Sequence, residues 1–155
     1  MKLTGKNGIG NVLKIFLQIC FYVGTLFLIG LPFVLNLMGL NLNAAMFIIY
    51  PNGIVLLIIV KNFIKLFDSL KDNQPFSNKN VKILKSTGIA ALIGSLLWLI
   101  DLLYEICLAK SEMIVSNLAL LFLCVLFLGV AIALYILSEL FKQATEYKEE
   151  NELTI

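Results

Sequence analysis

Four apolar runs, at about residues 13–35, 44–60, 88–109 and 113–137, are separated by connections too short to hold a soluble domain. A hydrocarbon core of about 30 Å needs roughly 20 helical residues at about 1.5 Å rise each, so each run suits one membrane-spanning helix. A mean hydropathy of +0.95 with 14% charged residues agrees that the solvent for most of this chain is lipid. The sequence therefore predicts an all-α, polytopic membrane protein. Residues 1–155 form one four-transmembrane-helix bundle with cytoplasmic helical extensions, the second span continuing as helix to 72 and the fourth to about 150. Lys2, Lys6 and Lys14 give the chain a basic start, but the first run is too long for a secretory signal and no small-x-small cleavage site follows, so it is read as a retained span.

Charge sets the expected orientation. Eleven of the twelve lysines precede the first run, flank the connection between the second and third, or follow the fourth. Only Lys110 lies on the other side, and Asn36 to Asn43 carries no charge at all. Positive charge is retained in the cytoplasm during insertion, which predicts a multi-pass cell-membrane protein with both termini and the central connection cytoplasmic. The thin opposite connections place the informative surface inside.

The central connection, DNQPFSNKNVKILK at 72–85, is built as a reversal. Past Val60 the apolar residues form a stripe, Phe63, Ile64, Phe67 and Leu70, at helical spacing, with Lys61, Lys65, Asp68 and Asp72 opposite. Twelve further residues, 61–72, would carry this helix about 18 Å beyond the apolar run. The helix is expected to end before Pro75, which pushes its predecessor out of helical geometry. Ser77 then caps the next helix through the amides of Lys79 or Asn80, while Phe76 and Val81 occupy the positions of a hydrophobic staple. Asn80 stands where a complete capping box would have Glu or Gln.

Within the spans, Pro51 removes a helical hydrogen bond from the Phe47 carbonyl and should kink the second helix, with a neighbouring helix or the Asn52 amide helping to satisfy that oxygen. Pro51 and Asn52, together with Asp101 and Glu105 on one face of the third helix, are candidates for an intramembrane hinge or polar site. The outer position of the two acids favours snorkelling, or an ion pair with Lys110, over a proton relay. Thr87, Ala91 and Ser95, Ala90 and Gly94, and Gly129 and Ala133 have small-xxx-small spacing, read as packing seams within the bundle, although homo-oligomer contacts would look the same. Cys20, Cys107 and Cys124 lie in separate spans with no CxxC pair, so they imply neither metal nor redox couple.

The last helix continues as SELFKQATEYKEENELTI, with Leu140, Phe141, Ala144 and Tyr147 in an apolar stripe. Glu139 with Lys142, Lys142 with Glu146, and Lys148 with Glu152 are spaced to pair along it. The stripe calls for a partner, either the central hairpin or a second protein. Phe67, Leu70, Phe76, Val81, Phe141, Tyr147, Leu153 and Ile155 are the candidate docking residues.

The four spans, Pro75-Phe76-Ser77 followed by Asn80-Val81-x-x-Leu84, and the closing Glu150-Asn151-Glu152-Leu153-Thr154-Ile155 together resemble the bacterial DUF2975 family, small membrane proteins of unassigned function. Family sequences often carry Glu where this chain has Lys79. Members are frequently encoded beside a small Cro/C1-type helix-turn-helix protein, so the resemblance implies a membrane partner for a DNA-binding regulator. It supplies no residue-level site.

The absence of histidine and arginine removes the commonest general base and the usual bidentate phosphate clamp, and no nucleophile, base or metal set converges. The sequence thus points to binding rather than chemistry, with no cofactor and no direct nucleic-acid contact. The leading expectation is a membrane protein that binds and restrains a small helix-turn-helix regulator. The alternatives are a component of a small-molecule or ion transport system, or a structural membrane protein with no cargo.

Overall fold

A computed structural model describes residues 9–37, 39, 42–71, 76–107 and 114–153, with side chains described at 10–37, 39, 49–69, 76–107 and 114–150. These residues form four long helices, α1 (Ile9–Leu37), α2 (Leu42–Lys71), α3 (Asn78–Cys107) and α4 (Ile114–Leu153), and no strand. Each contains a stretch long and apolar enough to cross a bilayer. Their number suggests a multi-pass membrane protein whose outer surface meets lipid. Side chains such as Tyr22, Leu26, Ile29 and Phe33 on α1 are largely exposed, which would be costly in water and is ordinary against acyl chains.

Each helix packs on the next in chain order, most extensively α3 on α4, and α1 meets only α2 among the described residues. The helices alternate in direction. Lys14 near the start of α1 reaches Asp68 near the end of α2, while Asn78 at the start of α3 meets Glu149 near the end of α4. The start of α1, the end of α2, the start of α3 and the end of α4 thus lie together at one end of the molecule. Gly39 turns the chain after α1, with a φ of 67° and its N–H donating to the Asn36 carbonyl over 3.2 Å.

The core is drawn around α3 by small residues. Thr87, Ala90, Ala91, Gly94 and Ser95 are all buried, and Ala90 and Ala91 cluster with Val55 and Ile59 of α2 and Ala131 of α4. A methyl group at Gly94 would lie 2.6 Å from the Phe127 ring and 3.1 Å from Val55. The Ser95 hydroxyl donates to the Cys124 carbonyl across the α3–α4 contact at 3.0 Å. The small-residue reading holds for α3.

It does not hold for α4. Gly129 and Ala133 are exposed, and nothing lies within 4 Å of a side chain built at Gly129. The buried face of α4 instead carries Ala131, Leu134 and Ser138, three and four residues apart, and an α-helix turns Gly129 and Ala133 away from that face. The motif's spacing identified a closely approachable stripe but could not say which stripe a neighbour occupies.

Candidate functional site

Two regions gather the residues that the sequence singles out. The first is at the end where α2, α3 and α4 continue beyond their most apolar stretches. α2 runs without a break past Val60 to Lys71, and α3 begins at Asn78, ten residues before its apolar run. Ser77 caps α3 as expected: its carbonyl accepts from the N–H of Asn80 (2.9 Å) and Val81 (3.2 Å), and its hydroxyl from the N–H of Asn80 at 3.4 Å. Residues 72–75, with Pro75 among them, lie outside the described residues.

The sequence gives Phe76 a local partner in Val81, but the ring contact observed runs to another helix. Phe76 packs on Phe141 of α4, the centroids 5.3 Å apart and the planes tilted by 55°. The Asn78 amide donates to the Glu149 carboxylate at 3.2 Å. The reversal is thereby fastened to the α4 extension at two places. Along that extension Lys142 lies 3.8 Å from both Glu139 and Glu146, as their spacing predicts, whereas Glu152 falls outside the described side chains.

The interior of this end is polar, which apolar periodicity did not anticipate. Asn62 and Ser69 of α2, Asn80 of α3, and Ser138 and Thr145 of α4 are buried. The hydroxyls of Ser138 and Thr145 donate back to the Tyr135 and Phe141 carbonyls, which removes the cost of burying them. Among the described residues, Asn80 and Leu84 are the largest side chains almost wholly removed from solvent. Two positions of the Asn80-Val81-x-x-Leu84 motif are therefore keystones of packing. By contrast, Phe63, Ile64 and Phe67 of the apolar stripe are only half-buried, and Leu140 and Tyr147 remain 55% and 67% exposed. Phe141 and Val81 are half-buried, and Phe76 is partly exposed despite its ring contact. The side chains of Leu70 and Leu153, and all of Ile155, lie outside the description.

The second region is within the spans. Asn52 of α2 and Asp101 of α3, both buried, are joined by a 2.8 Å hydrogen bond from the Asn52 amide to the Asp101 carboxylate. Pro51 lies one residue before Asn52 inside α2, which remains one helix through it. Glu105 is half-buried one turn beyond Asp101 and takes no part in that bond. Lys110, its expected partner, lies outside the described residues.

A further intramembrane contact went unread in the sequence. Pro32 sits inside α1, so the Leu28 carbonyl has no N–H four residues ahead to bond. The Tyr50 hydroxyl of α2 donates to that carbonyl at 2.6 Å. Gly53 lies beside it and leaves room for the Leu28 side chain, which a methyl group there would meet at 2.5 Å. A proline inside one apolar run, facing a tyrosine-glycine pair in the next, was the available signal.

Among the described residues no group of acids, cysteines or histidines is placed to hold a metal ion. The family model of DUF2975, described as a protein of unknown function, matches residues 13–155, and the chain belongs to that family. No curated protein and no solved structure matches it.

Proposed function

We propose that this member of the DUF2975 family is a membrane-anchored docking protein that binds and restrains a small helix-turn-helix regulator at the cytoplasmic surface. The observation that carries this reading is the fastening of the α2–α3 reversal to the α4 extension through Phe76, Phe141, Asn78 and Glu149. It gives the lysine-rich end of the molecule one packed surface rather than loose connections. A chain needing only to link two spans has no use for such a surface.

The lysine distribution supports a cytoplasmic position for this end. The exposed Leu140 and Tyr147 offer apolar contact beside the acidic Glu139, Glu146, Glu149 and Glu150. A DNA-binding regulator presents a basic surface, which those glutamates complement. The family resemblance supplies the class of partner, and the activity is one of binding, without a catalytic step.

Co-purification with a small helix-turn-helix protein of the class the family resemblance implies tests the proposal. Tyr147→Ala and Leu140→Ala should each lower recovery at unchanged helicity, and truncation after Ser138 should abolish it. Equal recovery with all three variants contradicts the reading.

One observation favours a transport component as the second reading. The Asn52–Asp101 bond places a carboxylate in the protein interior within two spans, where ionisable groups commonly mark ion or substrate pathways. Flux into liposomes that falls with Asp101→Asn and Asn52→Leu would support it. Liposomes no more permeable than protein-free controls would remove it.

A further inference from the structure

The three lysines Lys65, Lys79 and Lys82 line a cleft of about 780 Å³ between α2 and α3, together with Asn62, Asp68, Asn78, Ile83 and Ser86. Its one acidic lining residue among the described residues, Asp68, is engaged by Lys14 of α1. That pairing leaves the three lysines of the lining with no carboxylate partner among the described residues. The first turn of α3 adds the positive end of its helix dipole, because Asn78 and Lys79 form part of the wall. Deeper in, the Asn62 amide donates to the Ser86 hydroxyl at 3.1 Å and ties the two helices at the cleft floor.

We propose that this cleft binds a phosphate group at the membrane surface. An ammonium cluster, amide and hydroxyl donors, and a helix amino end suit a tetrahedral anion. The cleft shares Asn78 with the fastening of the reversal to α4 but none of its lysines, and the proposal does not depend on the regulator reading.

A lipid phosphodiester and a soluble phosphate share this chemistry, and the position of the cleft favours the lipid. Lys14, which engages the cleft's acid, stands at the start of the first apolar run. The α3 face that carries Lys82 and Ser86 into the cleft continues one and two turns deeper as Ile89 and Ile93, both exposed. A headgroup held by the lysines would thus have an apolar track below it for its acyl chain.

The test compares two double variants of equal charge in the full-length protein. Lys79→Gln/Lys82→Gln removes two cleft charges, and Lys61→Gln/Lys85→Gln removes two exposed charges that do not line it. Retention of phosphatidylglycerol against phosphatidylcholine is read by native mass spectrometry. Pyrophosphate binding in neutral detergent is read by calorimetry. At about 1 kcal/mol per lysine near an anionic surface, the cleft double variant should lose about thirtyfold in affinity, and the control double variant only a few-fold. Lys79→Arg/Lys82→Arg should retain binding, which separates charge from folding.

Selective phosphatidylglycerol retention with this dependence supports the proposal and assigns the phosphate to lipid. Pyrophosphate binding alone, with the same dependence, supports a phosphate site filled from solution. Equal losses in the two double variants, or binding of neither probe, overturn it, since diffuse attraction between a basic segment and an anionic surface would then account for everything observed.

Discussion

Pro32 and Tyr50 act on one carbonyl from two helices, so the worth of either depends on the other. Tyr50→Phe should lower stability in detergent by about 1 kcal/mol, the usual cost of a lost hydrogen bond that leaves its acceptor unmade. In a Pro32→Ala background the Leu28 carbonyl regains an intrahelical donor, and Tyr50→Phe should then be nearly silent. Thermal or denaturant melts of the four proteins check this, and equal costs in both backgrounds would show that the hydroxyl does something else. The Asn52–Asp101 bond allows a parallel cycle with Asn52→Leu and Asp101→Leu. Buried interhelical hydrogen bonds in membranes couple by about 0.6 kcal/mol on average, with a maximum near 1.7, because the separated helices find other partners. A coupling in that range is expected, and strictly additive losses would mean that the two side chains act independently.

At the scale of elements, the contact between the reversal and α4 includes, among the described residues, a ring pair and an amide-carboxylate bond. An aromatic pair contributes about 0.5–1.5 kcal/mol beyond its burial, so Phe141→Ala should raise amide exchange in the first turns of α3 by about two- to tenfold without changing exchange around Ala91. Exchange unchanged at both places would show that α3 is held there by other contacts. Much of this element was legible in advance. Ser77 declared the start of α3 through its capping chemistry, and the run past Val60 declared that α2 continues. What sequence could not supply was which face each helix buries. The stripe of Phe63, Ile64 and Phe67 reads as the natural inner face, yet Asn62 and Ser69 are more deeply buried and the stripe is only half-buried, with Phe63 packed against the core. The absence of a hydrophobic penalty for facing lipid left Gly129 and Ala133 outside. Polar residues within the apolar runs were the better guides to the interior, as Asn52 and Asp101 were.

For the whole molecule, α4 is the clearest statement of how the chain divides between lipid and water. Its 40 residues span about 60 Å, twice the hydrocarbon thickness, so a large part of the helix stands beyond the acyl chains. The extensions of α2 and α3 meet it at the same end, where nearly all the lysines lie, and the docking proposal requires that end to face the cell interior. Single cysteines at Gln143 and Gly39, introduced after Cys20, Cys107 and Cys124 are replaced, measure this directly with a membrane-impermeant maleimide. The account predicts that Gly39→Cys reacts in intact cells and that Gln143→Cys reacts only after the membrane is opened. Labelling of Gln143→Cys in intact cells would place the extensions outside and contradict the proposed binding of a cytoplasmic regulator.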